Sequence, residues 1–189
     1  MRNSMWKILL FIHLFGFVSR TIRNYYIYKL LSNTVDVLEY YNIEYILDWG
    51  SLLGAYRNNE VIYNDDDCDI SVIDCDAKLI EELLTSRLRF GIKQTTNSIS
   101  IIPNKYINLH LDIYFINMDK NGNYTNLNRC VPKELINQKS KIRFGNREYC
   151  CPYKIKEYLL VLYKYIGTDA IETDYNDYVP YKTNNYCIK

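Results

Sequence analysis

The sequence predicts an α+β (α/β-like) fold, a mixed β-sheet with flanking helices, on three observations. The chain has 189 residues, 48% hydrophobic and 24% charged, which suits one hydrophobic core and is too short for two full domains. Apolar residues recur at three- and four-residue steps in some segments and in short β-prone runs in others, and the two kinds alternate along the chain. Gly, Asn and Asp punctuate the boundaries between them. Disordered, collagenous and disulfide-scaffold classes do not fit this composition.

Taken in order, the first segment is an apolar run from Trp6 to Val18, interrupted by Lys7 and His13 and followed by Ser19, Arg20 and Arg23. It is shorter than the roughly 20 residues a spanning helix needs, and no small-x-small cleavage site follows it. A signal anchor or a membrane-surface helix is the favoured reading, with a helix packed on the domain as the alternative. Residues 1–23 are therefore set apart from a domain spanning 24–167. Membrane association through 6–18 is expected, with a cytoplasmic location as the alternative. The sequon Asn123-Tyr124-Thr125 would matter only in a lumenal compartment.

Ile27, Leu30, Leu31, Val35 and Leu38 define the apolar face of a helix over 27–41. Ile43 to Trp49 is a β-prone run ending at Gly50-Ser51, and Leu52 to Arg57 a short helix. Cys68 to Ile73 reads as a strand. Asp76 is placed to cap a helix over 77–90, with Gly91 as its stop. Ser98–Ile102 and Ile107–Asn117 read as strands, the second ending in an Asn121-Gly122 turn. Lys141–Phe144 and Arg147–Cys150 form a hairpin across Gly145-Asn146. Ile155 to Ile166 is a last amphipathic helix, and 168–189 is expected to be irregular.

Charge narrows the function. The chain carries 23 Lys+Arg against 22 Asp+Glu, a formal net charge of +1. A protein that grips long nucleic acid by releasing counterions carries a clear basic excess, so no long nucleic acid is expected as a partner. Six cysteines, with no CxxC pair and no His/Cys spacing for a zinc tetrahedron, read as free thiols.

The chemistry concentrates between Asp48 and Asp69. Asp65, Asp66, Asp67 and Asp69 place four acids in five positions, a costly concentration of like charge that a divalent cation would relieve. Residues two apart on a strand share a face, so Asp67 and Asp69 point one way and Cys68 the other. Such oxygen ligands suit Mg²⁺ or Mn²⁺. An EF-hand register places Asp65, Asp67 and Asp69 at positions 1, 3 and 5, but Ile70 stands where that loop needs glycine; a solvated acidic loop leaves the neighbouring residues unexplained. Gly50 and Ser51 open a helix whose free N–H groups suit a phosphate, and Arg57 offers a bidentate cation. Asp112 alternates against Leu111 and Ile113, and would complete a carboxylate triad if its strand neighbours 68–73. His110 is read as a packed strand residue.

These residues resemble the LicD family, which includes bacterial phosphocholine transferases and fukutin-type ribitol-phosphate transferases, within the polymerase-β-type nucleotidyltransferase superfamily. The resemblance is carried by Gly50, Ser51, Leu52, Leu53, Gly54 and Arg57, by Ile62, Asp65, Asp66, Asp67, Asp69 and Ile70, and by Asp112-Ile113-Tyr114. Pro152 to Gly167 resembles the proline-led helix common there. Tyr63-Asn64 stand where the family usually has Pro-Trp, and Asn58 where a His often follows the Arg. The resemblance implies a nucleotidyltransferase-like fold and transfer of a phospho-alcohol from a CDP-activated donor to a glycan acceptor. It implies Asp67, Asp69 and Asp112 as catalytic residues and metal ligands for Mg²⁺ (or Mn²⁺), with Asp112 the third ligand or the base for the acceptor hydroxyl, Asp65 as a supporting acid, and Gly50, Ser51 and Arg57 at the donor phosphates. A nucleotidyltransferase acting on a small molecule or nucleic acid, and a silent glycan- or partner-binding member, are the alternatives.

Overall fold

The computed structural model describes residues 2–63, 65–88, 90–95, 98–103, 109–120, 122–127, 129–168, 170–174 and 177–180; for 2–19 and 170–180 it defines the backbone elements alone. Helix α1 (Arg2–Tyr40) is continuous for 39 residues, about 58 Å at 1.5 Å per residue. No break separates an N-terminal segment from the domain helix, because no proline lies between Arg2 and Tyr40 to interrupt the ladder. No helix among the described residues is long and apolar enough to cross a membrane. The predicted stripe Ile27, Leu30, Leu31, Val35 and Leu38 is buried, and it lays α1 across the sheet.

The sheet is built from β1 (Tyr45–Leu47), β2 (Asp67–Ile73), β3 (Gly91–Gln94), β4 (Ser98–Ile102) and β5 (His110–Met118). Their spatial order is β1-β2-β5-β4-β3, and β6 (Tyr124–Asn126) and β7 (Arg129–Val131) continue from the end of β5. Strands β2 and β5 are parallel, while the other pairs are antiparallel. The sheet is thus mixed, as the sequence predicts. A parallel pair needs a long crossover, here α3 (Ala77–Arg87) with β3 and β4. Asp76 caps α3, accepting from Lys78 N and Leu79 N at 2.8 and 3.0 Å.

Helix α2 (Trp49–Asn58) follows β1 directly, starting three residues before the predicted Leu52. Further on lie α4 (Lys133–Ile136), the hairpin β8 (Lys139–Phe144) and β9 (Arg147–Pro152), and α5 (Ile155–Tyr163). Residues predicted as irregular after 168 include a second hairpin, β10 (Ala170–Asp174) and β11 (Asp177–Pro180). Helix α3 ends at Arg87, with Leu88 already extended, so Gly91 opens β3 instead of stopping the helix. Helix α5 ends at Tyr163, where Lys164 takes φ 62°, three residues short of the predicted Ile166. Strand β5 is described from His110, and the start predicted at Ile107, like Asn121 of the predicted turn, lies outside the described residues.

Candidate metal centre and transfer site

The parallel register of β2 and β5 sets the site. Asp67 lies beside His110 and Asp69 beside Asp112, so alternation puts all four side chains on one face. On the other face Cys68, Ile70, Leu111 and Ile113 are fully buried in the core. Burial and the nearby acids push the Cys68 thiol up, so it stays protonated beneath the site.

Asp67, His110 and Asp112 offer ligand atoms all within 4.8 Å of one another, as do Asp65, Asp66 and Asp67, so Asp67 belongs to both sets. His110 Nε2 lies 3.6 Å from Asp67 Oδ2 and 3.7 Å from Asp112 Oδ2. Asp112 is held from its other side by Ser100 Oγ, which donates to Oδ1 at 2.5 Å. Asp69 is the most enclosed of these acids, 5% exposed, and belongs to neither set of three. Its Oδ2 is turned towards α2, accepting from Ser51 N at 3.3 Å, while Asp69 N donates to Ser51 Oγ at 2.8 Å.

Two glycines allow this approach. A Cβ on Gly50 would sit 3.1 Å from both Asp65 Oδ2 and Asp69 Oδ2, and one on Gly54 would collide with Glu60 O at 2.4 Å. The first keeps the helix N-terminus open to the acids; the second lets residues 60–62 close over α2. Helix α1 secures that segment: Tyr28 Oη accepts from Val61 N at 3.2 Å, and Arg20 lies 3.4 Å from Glu60 and over the Tyr63 ring.

Crowding leaves an electrostatic imprint. Burial, a hydrogen bond with Asp67 and repulsion from Asp67 and Asp66 push the Asp65 carboxyl up to about 8, opposed by Arg23. Burial and the charges of Asp67, Asp65, Asp112 and Asp48 raise Asp69 well above the carboxylate range. A divalent cation would reverse both effects. The donor set, carboxylates with one imidazole on a half-exposed face, fits such an ion.

Arg57 lies near the C-terminal end of α2. It sits eight residues beyond Trp49, about 12 Å along α2, and its Nε and Nη2 donate to Ile166 O at 3.2 Å and Gly167 O at 2.7 Å. The cation whose charge reaches Asp65 is Arg23 of α1, which the sequence shows only as a flank of the apolar run.

The sequence also gives no role to Asp48. Fully buried, it caps α2 through Trp49 N (2.8 Å) and accepts from Ser71 Oγ (2.5 Å), Asn126 Nδ2 (2.6 Å) and Tyr158 Oη (2.9 Å). Asn126 Oδ1 in turn accepts from Trp49 Nε1 at 3.2 Å. Trp49 has φ 41°, a left-handed conformation that costs a bulky residue of order 1–3 kcal/mol. This network joins β2, β6 and α5 at the strand-to-helix elbow and so fixes where Gly50 and Ser51 point.

A cleft of about 500 Å³ lined by Cys75, Phe115, Met118 and Leu127 opens at the opposite end of β2 and β5 from the acids. A smaller groove of about 270 Å³, lined by Tyr26, Lys29, Leu30, Phe90, Pro103 and Leu109, adjoins the His110 end.

Residues 42–154 match the LicD/FKTN/FKRP nucleotidyltransferase domain, a span that contains α2, the acidic block and β5. The chain belongs to this family. LicD-family membership places the domain among transferases of the nucleotidyl or phosphoryl kind. The chain is similar to protein RT0683 of Rickettsia typhi, 28% identical over 132 residues, covering 67% of this chain and 42% of that protein. It is also similar to RP689 of Rickettsia prowazekii, 31% identical over 102 residues, covering 53% and 37%. The chain thus spans about two fifths of the length of these relatives. Among solved structures, similarity extends to the lincosamide antibiotic adenylyltransferase LnuA (TM-score 0.47, 20% identity, 70% of this chain and 83% of that one). It extends also to the antibiotic-resistance factor ANT(2'')-Ia (TM-score 0.49, 13% identity, 66% and 63%).

Proposed function

We propose that this LicD-family domain transfers a phospho-alcohol, such as phosphocholine or ribitol phosphate, from a CDP-activated donor to a glycan hydroxyl. The observation that carries the reading is the register of β2 on β5, which sets Asp67 and Asp69 beside His110 and Asp112 on one open face within the matched domain. Asp67, Asp112 and the neighbouring acids Asp65 and Asp69 would hold Mg²⁺ or Mn²⁺, which when bound neutralises charge on the donor pyrophosphate.

The chain's own residues supply the rest. The α2 N-terminus, fixed by Asp48 and kept open at Gly50, turns the positive end of its dipole to the donor phosphates, while Trp49 N and Ser51 N are engaged by Asp48 and Asp69. Arg23 adds positive charge beside Asp65. The acceptor hydroxyl oxygen bonds to the donor's alcohol-bearing phosphorus, the P–O bond to the nucleotide breaks, CMP leaves, and the hydroxyl proton passes to Asp112. Ser100 steadies that carboxylate by occupying Oδ1. Tyr26 and Phe90 of the adjoining groove offer ring faces to the base or a sugar. A net charge of +1 favours a small anionic donor reached through a cation over a long polyanion. The apolar run 6–18, carried on α1, is assigned to contact with a membrane surface.

Incubation with Mg²⁺ or Mn²⁺ and a panel of CDP-alcohols and nucleoside triphosphates tests the reading. CMP release from a CDP-alcohol, abolished by Asp67→Ala, is expected. Pyrophosphate release from a triphosphate would replace it with nucleotidyl transfer, and binding without turnover would make this a silent member.

A further inference from the structure

Strand β5 brings to the acid face a residue that the carboxylate triad does not include. His110 lies beside Asp67 in the parallel register and two residues before Asp112, so its ring shares their face. Nε2 sits between the two carboxylates, at 3.6 and 3.7 Å, and the three ligand atoms fit within 4.8 Å. One ion could touch all three. Asp69, the acid expected to pair with Asp67, is instead drawn towards Ser51 N and is nearly enclosed.

We propose that His110 is a direct ligand of the divalent cation and biases this centre towards a first-row transition ion, Mn²⁺, over Mg²⁺. The proposal rests on the metal-centre reading above and specifies its ligands. An imidazole nitrogen suits transition ions, whereas Mg²⁺ is satisfied by carboxylate, phosphate and water oxygen. Ser100 holds Asp112 in place, so the pocket between Asp67 and Asp112 keeps its width when an ion enters. A rival role follows from the same distances: His110 fills the space between the two carboxylates and competes with the ion for it. The two roles predict opposite mutant behaviour, because a ligand's removal weakens metal binding and a blocking group's removal strengthens it.

The test uses the full chain loaded with Mn²⁺. Electron spin-echo modulation should show coupling to a directly bound ¹⁴N, lost in His110→Gln. Titration calorimetry should show Mn²⁺ binding weakened about tenfold or more in His110→Gln, with Mg²⁺ binding changed less than about threefold. Circular dichroism of the variant confirms that it folds. Mn²⁺ bound without ¹⁴N coupling, or tighter binding in His110→Gln, would overturn the histidine assignment while leaving the carboxylate centre standing. Failure of the wild-type chain to bind either ion would overturn both.

Discussion

Replacing Asp48 by Asn removes a buried charge while keeping the shape of the group at the strand-to-helix elbow. Burial pushes the Asp48 carboxyl from 3.8 up to about 6, against the opposing pull of its hydrogen bonds from Ser71, Trp49, Tyr158 and Asn126. A carboxyl raised on folding stabilises the native state fully below its unfolded value, and that contribution is lost as pH rises through the folded value. Moving from 3.8 to about 6, at about 1.4 kcal/mol per pH unit, corresponds to ~3 kcal/mol lost between about pH 4 and pH 6–7. Asn cannot lose it. Its amide keeps acceptors for Trp49 N and Tyr158 Oη but faces Asn126 Nδ2 with a donor, a mismatch of about 1–3 kcal/mol. Asp48→Asn should therefore lie within about 2 kcal/mol of wild type at pH 7 and fall behind by ~3 kcal/mol more at pH 4. Urea unfolding of both proteins at pH 4, 5, 6 and 7, with chelator present, measures this difference. A gap that stays constant with pH, or that widens as pH rises, would refute the assignment of burial as the dominant cause.

Two further substitutions separate roles within the site. Gly50→Ala puts a methyl 3.1 Å from Asp65 Oδ2 and Asp69 Oδ2; calorimetry should show Mn²⁺ affinity falling about tenfold, while the melting temperature holds or rises because Ala favours a helix over Gly by about 0.5–1 kcal/mol. Arg57→Lys loses the forked contact with the Ile166 and Gly167 carbonyls and should lower stability by about 1–2 kcal/mol in urea, with the donor KM unchanged. A raised KM at unchanged stability would return Arg57 to the phosphates.

Much of the fold was legible because its signals are strong and local. The stripe from Ile27 to Leu38, the cap at Asp76 and the hairpin around Gly145-Asn146 each carry a mechanism that tertiary packing did not overrule. Strands of three residues such as β6 and β7, and the single turn of α4, are too short for a period to show. At the site, alternation placed Asp67 and Asp69 on one face and Asp112 opposite its apolar neighbours, and the parallel pairing of β2 with β5 met the condition for joining them. Asp48 was hidden because its donors come from β2, β6 and α5, distant in sequence. His110 was hidden because a lone histidine in a strand looks like a packed one until the register puts a carboxylate on either side. Sequence proximity could not show the contacts of Arg57 with the Ile166 and Gly167 carbonyls, because those partners lie more than a hundred residues away.

Asp67 and Asp112 are proposed to form one divalent-cation centre on the shared face of β2 and β5. Anomalous diffraction from crystals of the protein soaked in Mn²⁺ measures this directly. A peak within bonding distance of both carboxylates, absent in Asp67→Ala crystals, is expected; a peak elsewhere with the β2–β5 face empty would overturn the shared centre.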